Sequence, residues 1–315
     1  MKLGIGNQRG FAIFVVLALV AVLALIASSF TSDTRSFAVG AHNEEVNAKL
    51  RAMASGGIDL GIKNILDRAQ DTSLPPGPQS IATKFADGRL RILIQDEAGK
   101  VDLNTATPEL LTGLFIFGGA QDSDAQELAK RVVDFRSPKR AAPGTPEAVA
   151  STQPYDDENL PYGPKKGAFM SVTELLQIPG ISEQMFLNVR RYVTVHSGLT
   201  GIDPDVAAPE LLAALPPLTA EAKSRLDAAR ARIRQGAFVA ALGNSDPYFA
   251  ISSRNVFTIT CAADMGGKAV YIQNATIALR NGDKPYDVLE WWTGGRINLP
   301  TMTAGLNRET RKAFT

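Results

Sequence analysis

The chain has 315 residues, 33 basic against 32 acidic, and a net charge of +1, which excludes a strong electrostatic pull toward nucleic acid or anionic surfaces. Cys261 is the only cysteine, so no intrachain disulfide can form, and a lone thiol in an oxidising compartment reads as an inert core residue. His42 and His196 are the only histidines, which excludes a histidine-rich metal site. No P-loop glycine run and no Gly-x-Ser-x-Gly elbow occurs, and the chain does not read as an enzyme.

The N-terminus carries the strongest signal. Phe11 to Ala27 are seventeen consecutive apolar residues behind a short leader holding Lys2 and Arg9. The run continues through Ser28, Ser29 and Phe30 before the first acid, Asp33. About 20 helical residues cover the roughly 30 Å of a bilayer core, so the segment is just long enough to span. Basic residues on its N-terminal flank alone leave the short leader in the cytoplasm and the bulk of the chain outside it. Three readings are open: a cleaved signal peptide, for which Leu25 to Ser29 offers only a loose cleavage site, an ordinary signal anchor, or a leader cut at Gly10-Phe11.

Beyond the apolar run, Val46, Leu50, Met53, Gly57 and Leu60 fall at steps of four and three, widened by Ile58, Ile62 and Ile65. This spacing predicts one apolar face along a helix to about Leu66. Pro75, Pro76 and Pro78 stop it. Gly56, Gly57 and Gly61 cost the helix about 1 kcal/mol each relative to Ala, and close approach to a packed sheet is their expected role.

Arg89 to Gln95 alternates Leu90, Ile92 and Ile94 against polar residues, a half-buried strand. Strand patterns then return only at Val256 to Ala263, Ala269 to Leu279 and Tyr286 to Trp292, with Phe257, Ile259, Cys261 and Ala263 sharing a face. Asp264-Met265-Gly266-Gly267 and Asn281-Gly282-Asp283 are hairpin turn signals. One early and three late strands predict a small antiparallel sheet against the long helix. Of Trp291 and Trp292, one reads as core and one as surface, the latter available to a partner.

Residues 104–242 read as a helical insertion with three related phrases, at Val101 to Leu111, Ser171 to Ile181 and Ala208 to Pro216. Asn104 or Thr105 is the expected cap of the first, with Pro108 in the first turn, and Pro209 plays that part in the third. Ser171 with Glu174 has capping-box spacing. Ser137 to Gly167 is rich in Pro, Gly and polar residues and reads as a loop. Leu176 to Ile181 (LQIPGI) before an amphipathic stretch resembles a helix-hairpin-helix element, whose backbone amides meet a phosphate in DNA-binding versions. This supplies an alternative function, a membrane-tethered DNA-binding protein of a competence or type IV pilus system. Lys165, Lys166, Arg190 and Arg191 form no dense basic stripe, so nucleic acid is not the expected partner.

Arg9-Gly10-Phe11-Ala12-Ile13 resembles the type IV prepilin family, in which a peptidase cuts after a Gly and before a Phe. Most members carry Glu at the fifth mature position, which here is Val15. The resemblance implies that the carboxylate pairs with a neighbour's free amine, a need absent in a tip subunit. With the VDLNTA and PELL phrases, SVTELL…PGI and the returning strands, the chain resembles the K-type minor pseudopilins of type II secretion (the GspK family).

That resemblance implies an α+β fold: a pilin-like helix packed on a small antiparallel sheet, with a large inserted α-helical domain containing helix-hairpin-helix-like elements. Its domains are then a leader at 1–10, a transmembrane helix at 11–30, its amphipathic continuation at 31–70, a head from 71–103 and 243–315, and the insert at 104–242. It implies processing between Gly10 and Phe11 by the prepilin peptidase, which also methylates the new N-terminus. The chain would be single-pass in the inner membrane with its bulk in the periplasm. It would cap the tip of the pseudopilus beside other minor pseudopilins, on the inner-membrane secretion platform, and promote assembly for export of folded proteins. It also implies calcium as a candidate ligand in the insert. Asp156, Asp157 and Glu158 are the candidates, with Asp122, Asp124 and Glu127 as a second cluster, neither in EF-hand pattern. The basic stretch Arg136 to Arg140 departs from the acidic character expected there.

Overall fold

The computed structural model describes residues 9–70, 78–85, 87–138, 142, 144–204, 206–215, 248–250, 252, 254–266 and 270–294, with the backbone alone for 9–12, 29–36, 69–70, 209 and 214. One helix, α1 (Arg9–Gln70), runs 62 residues, four beyond the predicted stop. At about 1.5 Å per residue it is roughly 90 Å long. In its first part, residues 13–28, every side chain is exposed. Among the described residues, no helix is long and apolar enough to cross a membrane.

The second half of α1 lies on a five-stranded sheet. Its strands are β1 (Gln79–Phe85), β2 (Gly88–Asp96), β5 (Val256–Asp264), β6 (Val270–Leu279) and β7 (Tyr286–Thr293), hydrogen-bonded in that order and antiparallel throughout. The order puts β2 beside β5, so everything between them leaves the sheet and returns. The sheet holds one strand more than the alternation predicts. β1 escapes notice because all but its last two residues are half-buried and none is fully buried, so QSIATKF shows no clean two-residue period.

Leu50, Ile58, Ile62 and Ile65 of α1 pack on Leu90, Ile92, Ile94, Phe257, Ile259, Cys261, Ala275 and Ile277. Leu60, placed on the apolar stripe by spacing, is instead 39% exposed. A Cβ on Gly57 would stand 2.2 Å from Cys261 Sγ, and one on Gly61 2.7 Å from Ile259 Cγ2. Those two glycines bring helix and sheet to backbone distance. Gly56 meets only Phe85, at 3.7 Å, an ordinary contact.

Between β2 and β5 sits a second hydrophobic core. It contains β3 (Val101–Asp102), α2 (Pro108–Phe117), α3 (Asp122–Arg136), α4 (Pro146–Asp157), α5 (Glu183–Val189), β4 (Val193–Thr194) and α6 (Pro209–Ala214). β3 pairs with β4 in parallel. Leu110, Leu111, Leu114, Phe115, Leu128, Val132, Phe135, Val189 and Leu211 are its centre. The stretch predicted as loop, Ser137 to Gly167, contains α4. That helix is polar, carries Pro154 inside and buries only Tyr155, so it lacks the apolar stripe that marks a helix. The chain returns to the sheet along this core, where Ile202 bridges Phe249.

Candidate assembly surface

Each phrase of the insert has a structural task. Thr107, not Asn104 or Thr105, caps α2, its hydroxyl accepting from the Leu110 amide with Pro108 next in the first turn. Asn104 is spent elsewhere. Its amide donates to the carbonyls of Phe169 at 3.0 Å and Val195 at 3.4 Å, and its oxygen accepts from Phe169 N at 2.7 Å. Asp102 is buried and accepts from Asn104 N, Ser197 Oγ and Gly198 N. Arg136 donates to the Leu103 and Ala106 carbonyls. VDLNTA is therefore a knot that ties three remote segments together, and its polar side chains are consumed by backbone groups and the Ser197 hydroxyl.

The seam between the two cores is built from buried carboxylates that sequence reasoning missed. Asp96 accepts from Arg254 Nε and Ala98 N, each at 3.0 Å, and burial pushes its carboxyl above the usual range. Glu97 is fully buried. Burial alone would raise it, but Lys100 and the hydroxyls of Thr194 and Thr258 hold it below the usual range. Those hydroxyls come from β4 and β5, so one carboxylate joins the insert to the sheet. Asp203 N donates to Ala98 O at 2.8 Å and its carboxylate accepts from Ser252 N. A Cβ on Gly99 would stand 2.5 Å from Val206 O. The run Asp96-Glu97-Ala98-Gly99 directly after a strand was the available signal. His196, beyond β4, reaches across the same seam, its Nε2 3.1 Å from Glu290 Oε1 of β7.

The hairpin is real but spoken for. Gly180 turns with φ of +84°, and α5 follows with Ser182 as its cap. Ser171 bonds the Thr173 amide at the start of a 3-10 helix, Val172–Gln177, while Glu174 reaches back to Met170 N, one residue earlier than a capping box requires. The Gly180 amide, the group that would meet a phosphate, donates instead to Glu158 Oε1 at 2.8 Å, and Arg131 is tied to the Pro179 carbonyl. A carboxylate of the chain thus occupies the anion position.

The same bond decides the fit of a cation at the acidic trio. Glu158 faces the hairpin, and Asp157 accepts from Gln153 at 2.6 Å. Asp134 nearby is neutralised by Lys166 and bonded by Ser151. Of the second cluster, Glu127 is paired with Lys130. Among the described residues no three His, Cys, Asp or Glu side chains converge to hold a metal ion. A hard cation wants six to eight oxygens in one place, and these residues do not fit it.

What remains is surface. Val15 is 48% exposed on the apolar first part of α1. The backbone of Gly10 and Phe11 lies in the first turn of α1, and the Phe11 side chain falls outside the described residues. Cys261 is buried in β5, and burial pushes its thiol up to about 12. Trp291 and Trp292 do not divide into core and surface: both are exposed on β7, because no strand lies beyond β7 among the described residues and α1 packs on β2, β5 and β6.

Residues 90–198 match the family described as Type II secretion system (T2SS), protein K. No curated protein matches the chain. Among solved structures, a chain of the GspK-GspI-GspJ complex from the enterotoxigenic Escherichia coli Type 2 Secretion System aligns with a TM-score of 0.52 at 15% identity, over 84% of this chain and 99% of that chain. At that identity the likeness concerns the fold. The family match runs from β2 through the seam, the VDLNTA knot and the hairpin to just past β4. The family match is confined to residues 90–198, and the solved structure supports the fold.

Proposed function

We propose that this chain caps the tip of the periplasmic pseudopilus of a type II secretion system and promotes its assembly for export of folded proteins. The observation that carries this reading is the match to protein K across the seam and insert, on a head borne by one long helix with an exposed apolar end. In this reading residues 11–30 are a single-pass inner-membrane anchor, and both cores stand in the periplasm. The prepilin peptidase cuts between Gly10 and Phe11. Val15 suits the tip, since no subunit above needs a carboxylate partner. The GspK-GspI-GspJ complex assembles three named proteins, and by likeness this chain assembles with other minor pseudopilins on the inner-membrane platform. The side chains of Asn104 and Arg136 are spent on backbone carbonyls and amides, which suits a structural role. The nucleic-acid reading loses its motivating group, because Glu158 already takes the Gly180 amide.

Gly10 is small so that the peptidase can admit the backbone at the cut. Gly10→Trp is expected to leave an unprocessed precursor and abolish secretion. A mature form of correct size in that variant refutes the leader assignment.

A further inference from the structure

His196 stands on the insert just past β4, and its backbone is fixed on both sides. Its own amide donates to Thr194 Oγ1 at 3.1 Å, and the next two residues are held by Asp102 through Ser197 Oγ and Gly198 N. The ring therefore goes where the VDLNTA knot goes. It leans on β7, the strand beyond those on which α1 packs. From Val288 to Thr293 every residue of β7 is exposed except Glu290, which is half-buried. Glu290 is the point at which the insert meets β7.

The contact is close without being a hydrogen bond. Nε2 lies 3.1 Å from Glu290 Oε1, yet it is shielded from solvent and has no hydrogen-bond partner among the described residues. A neutral imidazole in this place leaves a ring nitrogen shielded and unpaired, which is unfavourable. An imidazolium in the same place meets a carboxylate at short range, away from bulk water. The attraction exists only while the ring is protonated and the carboxylate is not. Beside the pair, a crevice of about 300 Å³ separates insert from sheet, with His196, Ser197 and Leu199 on one wall and Ala278, Arg280 and Leu289 on the other. The pair thus bridges a gap rather than topping a close-packed interface. Two more charged groups, Asp96 and Arg280, line the crevice, and each is already paired, Asp96 with Arg254 and Arg280 with Asp287. Asp102, beside the ring in sequence order, is held by Ser197 and Gly198.

We propose that His196 and Glu290 form a proton-operated latch, which closes the insert onto β7 in mildly acidic surroundings and releases it as the surroundings turn alkaline. The sign follows from the ring. The contact is present while the imidazole keeps its proton, and it is lost as pH rises through the range in which histidines give it up. The proposal stands apart from the function proposed above and adds a control on how tightly β7 is held. The His196 and Glu290 side chains are 20% and 35% exposed, so solvent screens the pair and the effect is a few-fold change rather than an all-or-none one.

The full-length chain in detergent carries its own reporter, because Trp291 and Trp292 are its only tryptophans and both follow Glu290 directly. Intrinsic fluorescence is followed from pH 5 to pH 8. Hydrogen exchange of residues 286–293 is measured at both ends, corrected for the intrinsic pH dependence of amide exchange. The expected result is one fluorescence transition, with the β7 amides about threefold more protected at pH 5 than at pH 8. Both signals should vanish in His196→Gln and in Glu290→Gln and persist in His42→Gln. Glu290→Gln is conservative and sits at a partly exposed position, so it carries the test even where His196→Gln lowers the thermal midpoint. Equal protection of β7 at the two pH values in the unsubstituted chain overturns the proposal. So does a pH dependence that survives either latch variant, which would assign the transition to Asp96, or one that disappears in His42→Gln.

Discussion

At the scale of single residues, Gly57 against Cys261 leaves the least room for a Cβ among the described glycines. A methyl group at position 57 has no room unless the thiol moves. Gly57→Ala is therefore expected to destabilise the detergent-solubilised chain by about 1–3 kcal/mol in denaturant unfolding, despite the better helix propensity of Ala. Cys261→Ala in the same chain removes Sγ and should recover much of that loss, a non-additive pair. Additive effects would show that helix and sheet are not pressed together there. Composition suggested the buried, inert thiol, and Gly57 and Gly61 were legible as contact residues because glycine inside a helix needs a reason. The partner of each glycine was not legible, since it depends on the register of β5 beneath the helix. The acidic trio shows the opposite failure. Adjacent carboxylates in sequence look like a site, but helix geometry sends Asp157 back to Gln153 while Glu158 turns to the hairpin.

At the scale of elements, α1 serves two environments in the proposed function, and Val15 lies in the part assigned there to lipid and sister helices. Val15→Glu places a charge there with no amine to meet it. The expected outcome is loss of tip-complex formation in a pull-down of the minor pseudopilins, and undiminished recovery would contradict the packing described. In the sheet, Arg89 and Asp264 are register partners at the ends of β2 and β5, with Arg89 Nη2 2.8 Å from Asp264 Oδ1. Burial alone would raise the Asp264 carboxyl, but hydrogen bonds from Arg89 and the Gly266 amide, with the charges of Arg89 and Arg91, hold it below the usual range. A depressed folded value means the contribution is present at neutral pH and lost as pH falls below about 4. Because Arg89 is 43% exposed, the amount is under about 1 kcal/mol. Asp264→Asn should flatten the loss of stability between pH 5 and pH 3 in urea unfolding by about that amount. An unchanged acid slope would contradict it. β2 was legible because it alternates strictly, burying one face under α1, and β5, β6 and β7 were legible as β-branched and aromatic runs bounded by turn signals. β1 and α4 were not, because neither buries enough on one side to write a period into its sequence.

At the scale of the molecule, two cores share one chain. The sheet core is assembled from the two ends of the head, and the helical core is inserted at a seam of Asp96, Glu97 and Asp203. The insertion was legible from the long gap between strand patterns. The seam was not, because the run Asp96-Glu97-Ala98-Gly99 after a strand marks a turn but does not name the remote groups its carboxylates meet. The mechanical reading of the whole is that the long helix is a handle freed by proteolysis, and the head offers surfaces rather than chemistry. Its most direct test is N-terminal sequencing, with intact mass, of the chain extracted from the membrane of cells with an active prepilin peptidase. The account predicts a polypeptide that begins at Phe11, with a methylated amine. A native chain that still begins at Met1 would contradict it.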